Sequence, residues 1–294
     1  MLVKYLLSTA RPQQWIKNLF VFAALIFGQE YLYPEKIILA SLGFIIFCAL
    51  SSCVYFLNDI LDIEQDKAHP LKKNRPIAAG KLSISTAITT FLLLAVLSLA
   101  GAWILNFRFF LISLAYFILN LLYSLHLKHV VIVDVLLIAI GFVLRAVAGA
   151  CAISVPISPW LYLCTILISL FLALAKRRHE IVLLENSANN HRAILSEYSP
   201  YFLDQMIAVV TASTLMAYAL YTMSPDVVDK FHTKNLNLTI PFVIYGIFRY
   251  LYLVHQKEKG GSPSEVMLTD KPLMVNILLW LLACIIILHT AKVV

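Results

Sequence analysis

Long runs of apolar residues are the feature that most constrains how this chain folds. Nine runs, separated by short polar segments, approach the length of about 20 residues that an α-helix needs to cross a bilayer. The mean hydropathy of +0.85 is far above that of a water-soluble domain. The pattern predicts an all-α, polytopic membrane protein, a single domain over residues 1–294, with spans at about 12–32, 37–57, 85–105, 109–125, 130–152, 159–175, 205–223, 239–255 and 272–290.

The distribution of basic residues predicts the orientation of these spans. With a cytoplasmic N-terminus, 17 of the 23 Lys and Arg residues fall on cytoplasmic segments, five fall outside, and Arg145 lies within a span. The positive-inside rule therefore puts the N-terminus in the cytoplasm and the C-terminus outside. We expect the membrane to be a bacterial-type plasma (inner) membrane. The net charge of +7 follows from topology, so no nucleic-acid partner is expected.

Residues 58–76 concentrate charge of both signs at the cytoplasmic end of the second span. Asn58, Asp62 and Asp66 follow an i, i+4, i+8 spacing, which puts them on one face if the helix continues. A stripe of carboxylate and amide oxygens suits Mg²⁺, which shares its remaining coordination positions with water and substrate phosphates. The alternative interpretation is a solvated loop in which Lys and Arg balance Asp and Glu.

This stretch resembles the first signature of the UbiA superfamily of intramembrane prenyltransferases. The resemblance implies a bundle of nine transmembrane helices around a central cavity that opens to the cytoplasmic side, and an active site that uses Mg²⁺. The matching residues are Asn58-Asp59-x-x-Asp62-x-x-x-Asp66, then Arg75-Pro76 and Gly80, and, after the fourth span, Tyr123-Ser124 with Lys128, which is similar to the tyrosine-lysine motif of that superfamily.

The second aspartate-rich signature of the superfamily has no counterpart after the sixth span. The segment Lys176-Arg177-Arg178-His179-Glu180 stands there instead. Arg binds phosphate oxygens in two-point forks and Lys binds them as a point charge, so this segment suits phosphate better than a second metal ion. The alternative is an ordinary basic segment at the cytoplasmic end of a span.

With that segment, three further blocks resemble the decaprenyl-phosphate phosphoribosyltransferase branch of the superfamily. The resemblance implies transfer of 5-phosphoribose from phosphoribosyl diphosphate to a polyprenyl phosphate, with release of diphosphate, which supplies arabinofuranose donors for cell-envelope polysaccharide. The blocks are Arg11-Pro12-x-x-Trp15-x-Lys17-Asn18, His69-Pro70-x-Lys72-x-x-Arg75-Pro76-Ile77-Ala78-Ala79-Gly80 and Gly141-Phe142-x-Leu144-Arg145-x-x-Ala148-Gly149-Ala150.

Two other classes remain open on the sequence alone. One is a UbiA-type prenyltransferase that moves an isoprenyl group to an aromatic, haem-like or other lipid acceptor. It would use the same first motif, and it should need the second aspartate pair. The other is a non-catalytic lipid or metabolite transporter, which would also place ionisable residues in its spans. A transporter gives no reason for an aspartate stripe on one side of the membrane.

The candidate site combines metal ligands with phosphate-binding cations. Asn58, Asp62 and Asp66 are predicted to hold Mg²⁺, and Asp59 joins them in the catalytic set. A structural role remains an alternative for Arg145, which follows Asp134 by eleven residues, and for Lys17 and Arg249, which lie near the ends of spans. The predicted substrate-binding residues are Lys17, Lys72, Lys73, Arg75, Tyr123, Lys128, Arg145, Lys176, Arg177, Arg178, Glu180 and Arg249.

Overall fold

A computed structural model describes residues 1–68, 72–185, 197–257 and 263–293. Every regular element in these described ranges is a helix. Eight of the described helices are long and apolar enough to cross a membrane. The predicted all-α, polytopic membrane architecture is therefore confirmed. The contacts divide the chain into two compact units: unit 1 is Met1–Ile157 and unit 2 is Ser158–Val294.

Unit 1 is built around long helices whose ends are set by polar capping residues. Ser83 accepts a hydrogen bond from the Thr86 amide, and Asn106 accepts two at the single-residue turn between two antiparallel helices. The α-helices of unit 1 are α1 (Leu2–Ala10), α2 (Ala23–Phe27), α3 (Pro34–Leu61), α4 (Ile63–Ala68), α5 (Ile84–Leu105), α6 (Phe107–Leu125) and α7 (Val133–Ala152). Short 3₁₀-helices join them at Pro12–Phe22, Glu30–Leu32, Lys72–Asn74 and Leu127–His129.

The core of unit 1 lies where α3, α6 and α7 meet. Phe47 packs edge-on against Phe109 and close to the ring of Tyr116. In contrast, α5 leaves a row of large apolar side chains exposed, as expected for a surface that faces lipid rather than water. The members of that row include Leu92, Leu93, Val96, Leu97 and Ile104.

The first predicted span differs from the expected single α-helix. Residues 12–32 form the 3₁₀-helix Pro12–Phe22, then α2, then a second 3₁₀ turn. The segment runs antiparallel to α3, because Trp15 donates to Ser52 (3.0 Å) and Asn18 to Ser51 (3.1 Å), whereas Ala24 packs near Ala40. A 3₁₀-helix rises about 2.0 Å per residue, so this short path still covers roughly a bilayer's thickness. The described part of the chain thus has eight membrane-length helices, and the predicted nine-helix count is not reached.

A close approach between Val21 and Gly149 explains where this irregular segment packs. A Cβ atom at Gly149 would overlap the carbonyl group of Val21. Only glycine lets the backbone of the 3₁₀-helix lie directly on α7, and both residues are buried.

Unit 2 contains α8 (Pro159–Glu185), α9 (Pro200–Met223), α10 (Pro225–Phe231), α11 (Ile240–Gln256), α12 (Pro263–Thr269) and α13 (Lys271–Val293). Ser199 caps α9, with Pro200 at its first position. A buried chain of hydrogen bonds crosses the unit: Trp280 donates to Tyr218 (2.8 Å), and the Tyr218 hydroxyl lies 2.7 Å from that of Thr239. Because Trp only donates, this series of hydrogen bonds has one direction: Tyr218 accepts from Trp280 and donates to Thr239, and the Thr239 hydroxyl donates to the carbonyl of Leu236.

Candidate functional site

The acidic segment, residues 58–66, keeps the helical spacing that the sequence predicts. Helix α3 ends at Leu61, and Asp62 departs from helical geometry with φ −95° and ψ 13°. Even so, the Asp62 amide donates to the Asn58 carbonyl (2.9 Å) and the Asp66 amide to the Asp62 carbonyl (2.8 Å). Asn58, Asp62 and Asp66 therefore follow one another on successive turns across the α3–α4 junction.

Asp62 forms an ion pair with a cation from a distant part of the sequence. Lys128 lies in the 3₁₀-helix after α6, and its Nζ is 2.9 Å from Asp62 Oδ1. Both side chains are largely buried. Tyr123, the other half of the predicted tyrosine-lysine motif, lies half-buried near the end of α6. The structure therefore joins the two motifs that the sequence analysis identified separately.

Arg75 bridges two further carboxylates of the acidic segment, Asp59 and Asp66. Its Nη1 lies 3.1 Å from Asp59 Oδ1 and 2.5 Å from Asp66 Oδ2. The side chains of Asp59 and Asp66 are only 2% and 3% exposed. Buried carboxylates are costly unless they are paired, so the arginine and the two acids stabilise one another.

Arg11 is a site residue that the sequence analysis did not assign. Its guanidinium forms an ion pair with Asp59 and lies over the ring of Tyr55. Its backbone is left-handed, with φ 53° and ψ 64°, directly before Pro12. A non-glycine residue in this region is strained, and such strain is often found at functional sites. The Arg11-Pro12 block was the available signal, but a motif does not reveal backbone conformation.

The oxygen ligands at the acidic segment fit a hard divalent cation. Lys128 engages only Oδ1 of Asp62 and Arg75 only Oδ2 of Asp66, so each ion pair uses one of the two carboxylate oxygens. Among the described residues, no group of three His, Cys, Asp or Glu side chains is close enough to hold a metal ion. Two carboxylates and the amide of Asn58 agree with a site that Mg²⁺ completes with water and substrate phosphates.

Three other lysines predicted to bind substrate in unit 1 lie on 3₁₀-helices. Lys17 is half-buried on Pro12–Phe22, Lys72 is half-buried, and Lys73 is exposed on Lys72–Asn74. His69 and Pro70, which belong to one of the resembling blocks, lie outside the described residues. These lysines remain predicted ligands.

Arg145 has a structural environment on α7. Its three donor groups bond to the side chains of Asn18 (2.8 Å) and Tyr116 (2.7 Å) and to the carbonyl of Gly141 (2.9 Å). The guanidinium also lies over the rings of Tyr116 and Phe142. The arginine therefore ties α7 to α6 and to the first membrane segment.

The basic segment of unit 2 separates into distinct environments. Arg177 is only 2% exposed and pairs with Glu180 one turn further along α8 (2.6 Å). The Lys176 ammonium is 3.6 Å from the same carboxylate. Arg178 instead contacts Asp204 of α9, and His255 of α11 contacts that aspartate as well. The sequence analysis missed Asp204 and His255, because neither belongs to a local motif.

Arg249 contributes to helix packing in unit 2. It contacts both oxygens of Asp270, at 3.1 and 2.8 Å. Asp270 also accepts a hydrogen bond from the Leu273 amide and thereby caps α13. The two-point contact joins α11 to the N-terminus of α13, as the structural alternative describes, and a substrate contact of Arg249 stays a prediction.

These features define an integral membrane protein of apolar helices in which a stripe of carboxylates is paired with Lys and Arg. The chain belongs to the UbiA prenyltransferase family, whose family model matches residues 18–264.

Named relatives and solved structures agree with this assignment. The chain is 34% identical to decaprenyl-phosphate phosphoribosyltransferase of Mycolicibacterium smegmatis, over 95% of this chain and 91% of the relative. It is 33% identical to the enzyme of the same name from Mycobacterium tuberculosis H37Rv, over 95% and 93%. A UbiA homolog from Archaeoglobus fulgidus, solved with GPP and Mg²⁺, superposes with a TM-score of 0.72 over 97% of this chain and 99% of that chain, at 18% identity. That last likeness supports the fold.

Proposed function

We propose that this protein transfers 5-phosphoribose from phosphoribosyl diphosphate to a polyprenyl phosphate. The observation that carries the proposal is the acidic segment, where each carboxylate predicted to bind metal is paired with a cation through a single oxygen. In such a site the carboxylates can bind a divalent cation, and the Lys and Arg side chains can bind the diphosphate that is bound to this cation. The similarity to enzymes named decaprenyl-phosphate phosphoribosyltransferase, across more than 90% of both chains, supports the choice of donor and acceptor.

The reaction is a substitution at the anomeric carbon of the ribose. An oxygen of the lipid phosphate forms a bond to that carbon, and the bond to the diphosphate oxygen breaks with its electron pair leaving on diphosphate. The transition state has oxocarbenium character, as at other glycosyl centres. The nucleophile is already anionic, so no strong general base is needed, and catalysis depends on positioning and electrostatic stabilisation.

Asn58, Asp59, Asp62, Asp66 and their cationic partners each have a role in this scheme. Asn58, Asp62 and Asp66 hold Mg²⁺, which when bound neutralises charge on the diphosphate. Lys128 and Arg75 bind diphosphate oxygens by the same donor groups that now face carboxylates. Asp59 keeps Arg75 and Arg11 oriented. Lys72, Lys73, Lys17 and Tyr123 add contacts to the donor.

The donor and acceptor together carry more phosphate than an isoprenyl diphosphate does. We assign Lys176 and Arg178 to one of these phosphate groups, and Arg177 with Glu180 to shaping the end of α8. The additional phosphate groups of the substrates then explain why Lys and Arg stand where other members of the superfamily have a second aspartate pair. The basic-residue bias supports a cytoplasmic site in a bacterial plasma membrane, where a water-soluble sugar phosphate is available.

A direct comparison of donors tests the proposal. Purified protein is incubated with Mg²⁺, polyprenyl phosphate and labelled phosphoribosyl diphosphate, and in parallel with an isoprenyl diphosphate and an aromatic acceptor. We expect lipid-linked label only in the first reaction. Turnover in the second reaction alone would identify a prenyltransferase, and no turnover in either would favour a transporter.

A further inference from the structure

We propose that Asp204 and His255 are positioning residues that hold Arg178 in place as the phosphate-binding arginine of unit 2. The inference rests on the proposed function, because it specifies which cation of residues 176–178 binds phosphate and what orients it. None of the sequence motifs includes Asp204 or His255.

Asp204 holds Arg178 at two points. Arg178 Nε lies 2.5 Å from Asp204 Oδ1, and Nη2 lies 3.3 Å from Oδ2. This fork fixes the plane of the guanidinium, since both carboxylate oxygens and two of its nitrogens take part. Neither contact uses Nη1, which leaves that nitrogen as the donor available to a phosphate oxygen. The Arg178 side chain is 18% exposed, so it is anchored and still accessible.

His255 completes the cluster from α11. Its Nε2 lies 3.2 Å from Asp204 Oδ1 and its Nδ1 lies 3.0 Å from the carbonyl oxygen of Leu251. Both ring nitrogens face acceptor oxygens, so the ring is held between the backbone of its own helix and Asp204. His255 thereby holds in place the carboxylate that orients Arg178, and it does so from a third helix.

Arg177 provides the contrast on the same helix. It is 2% exposed and paired with Glu180, whereas Arg178 is held by residues from two other helices. A cation that binds substrate needs both an anchor and an open side. Of the two arginines, Arg178 meets both conditions and Arg177 meets only the first.

The test combines kinetics with a double-mutant cycle. We expect Asp204→Asn and His255→Gln to raise the KM for phosphoribosyl diphosphate or for polyprenyl phosphate by about tenfold, with a smaller change in kcat, because a charged hydrogen bond that orients Arg178 is lost. Arg178→Ala should raise the same KM, and adding Asp204→Asn to it should have little further effect. Asp204→Glu should recover part of the affinity. Gln205→Ala, at the adjacent exposed position of α9, is the control and should leave both constants unchanged.

Additive effects of Arg178→Ala and Asp204→Asn on KM would overturn the inference, as would a fall in melting temperature with unchanged KM. A ligand-binding readout separates this result from a failure of the proposed function. The rise in melting temperature caused by inorganic diphosphate or by polyprenyl phosphate is measured for each variant. The unsubstituted protein could transfer no phosphoribose and still be stabilised by ligand. In that case, a ligand-induced rise in melting temperature that is lost in Asp204→Asn and kept in Gln205→Ala supports the positioning role. A ligand-induced rise in melting temperature that both variants keep contradicts it.

Discussion

Lys128 Nζ lies 2.9 Å from Asp62 Oδ1, so the 3₁₀-helix after α6 is tied to the C-cap residue of α3. The pair is largely buried, and it joins the two sequence motifs of unit 1 into one polar cluster. In the proposed reaction this carboxylate and this ammonium separate to receive a metal ion and a phosphate. This relationship is the basis of the first prediction.

Asp62→Asn should lower the rate of phosphoribosyl transfer on the order of 100-fold, because a neutral amide is a poor replacement for a carboxylate ligand and several kcal/mol of charge stabilisation are lost. The initial rate at saturating Mg²⁺ measures the effect. Glu64→Gln is the control, since Glu64 lies in the same short segment but its side chain is 84% exposed. Unchanged activity in Asp62→Asn would remove the metal role.

Arg75→Ala should destabilise unit 1, because it leaves Asp59 and Asp66 buried with less compensating charge. Loss of one partner from a buried ion pair costs about 3–5 kcal/mol, and the partial exposure of Arg75 favours the lower end of that range. Thermal unfolding in detergent measures the change. The exposed Lys67, which pairs with Glu64, gives the matched variant Lys67→Ala, with an expected cost of at most about 1 kcal/mol. Equal losses of unfolding free energy in Arg75→Ala and Lys67→Ala would contradict the burial of Asp59 and Asp66.

Gly149→Ala should disrupt the packing of the first membrane segment, because the added methyl group would overlap the carbonyl of Val21. Overpacking against backbone costs about 1–3 kcal/mol or more. Gly101→Ala is the control: that glycine is also helical, and a methyl group there meets only side-chain atoms of Ile46 at 3.6 Å. The melting temperature should fall for Gly149→Ala and hold or rise for Gly101→Ala. A neutral Gly149→Ala would mean that the 3₁₀-helix does not lie on α7.

Arg145→Met should lower stability and leave the KM of the folded enzyme unchanged, because the guanidinium bonds to Asn18, Tyr116 and Gly141 inside unit 1. Tyr116→Phe removes one of these bonds and should cost about 1.5–3 kcal/mol, less than Arg145→Met. Unfolding and steady-state kinetics are compared for both variants. A raised KM at unchanged stability would instead make Arg145 a substrate ligand.

The features that the sequence predicted are local ones. A run of about 20 apolar residues specifies a membrane-spanning helix wherever it packs, and the spacing of Asn58, Asp62 and Asp66 is a property of the helix itself. The membrane-length helices and the acidic stripe were therefore predicted in the right places. The first span was the exception. Its irregular path packs on Gly149, more than a hundred residues away, and the hydropathy of the span cannot indicate a contact with such a distant residue.

The partners of the cations were harder to predict because these ion pairs are tertiary contacts between residues far apart in the sequence. Arg178 and Asp204 are 26 residues apart, and Asp204 and His255 are 51 apart. Their contacts depend on how α8, α9 and α11 pack, which no spacing rule specifies. For the same reason no spacing rule predicts the bond between Arg145 and Asn18, which are 127 residues apart.

The fate of two labels tests the central claim most directly. Phosphoribosyl diphosphate labelled in the ribose, and separately in the β-phosphate, is incubated with the purified protein, Mg²⁺ and polyprenyl phosphate. The account predicts that the ribose label enters the lipid fraction while the β-phosphate label is recovered as soluble diphosphate. Recovery of both labels in the aqueous phase, or of the β-phosphate label in the lipid, would contradict phosphoribosyl transfer.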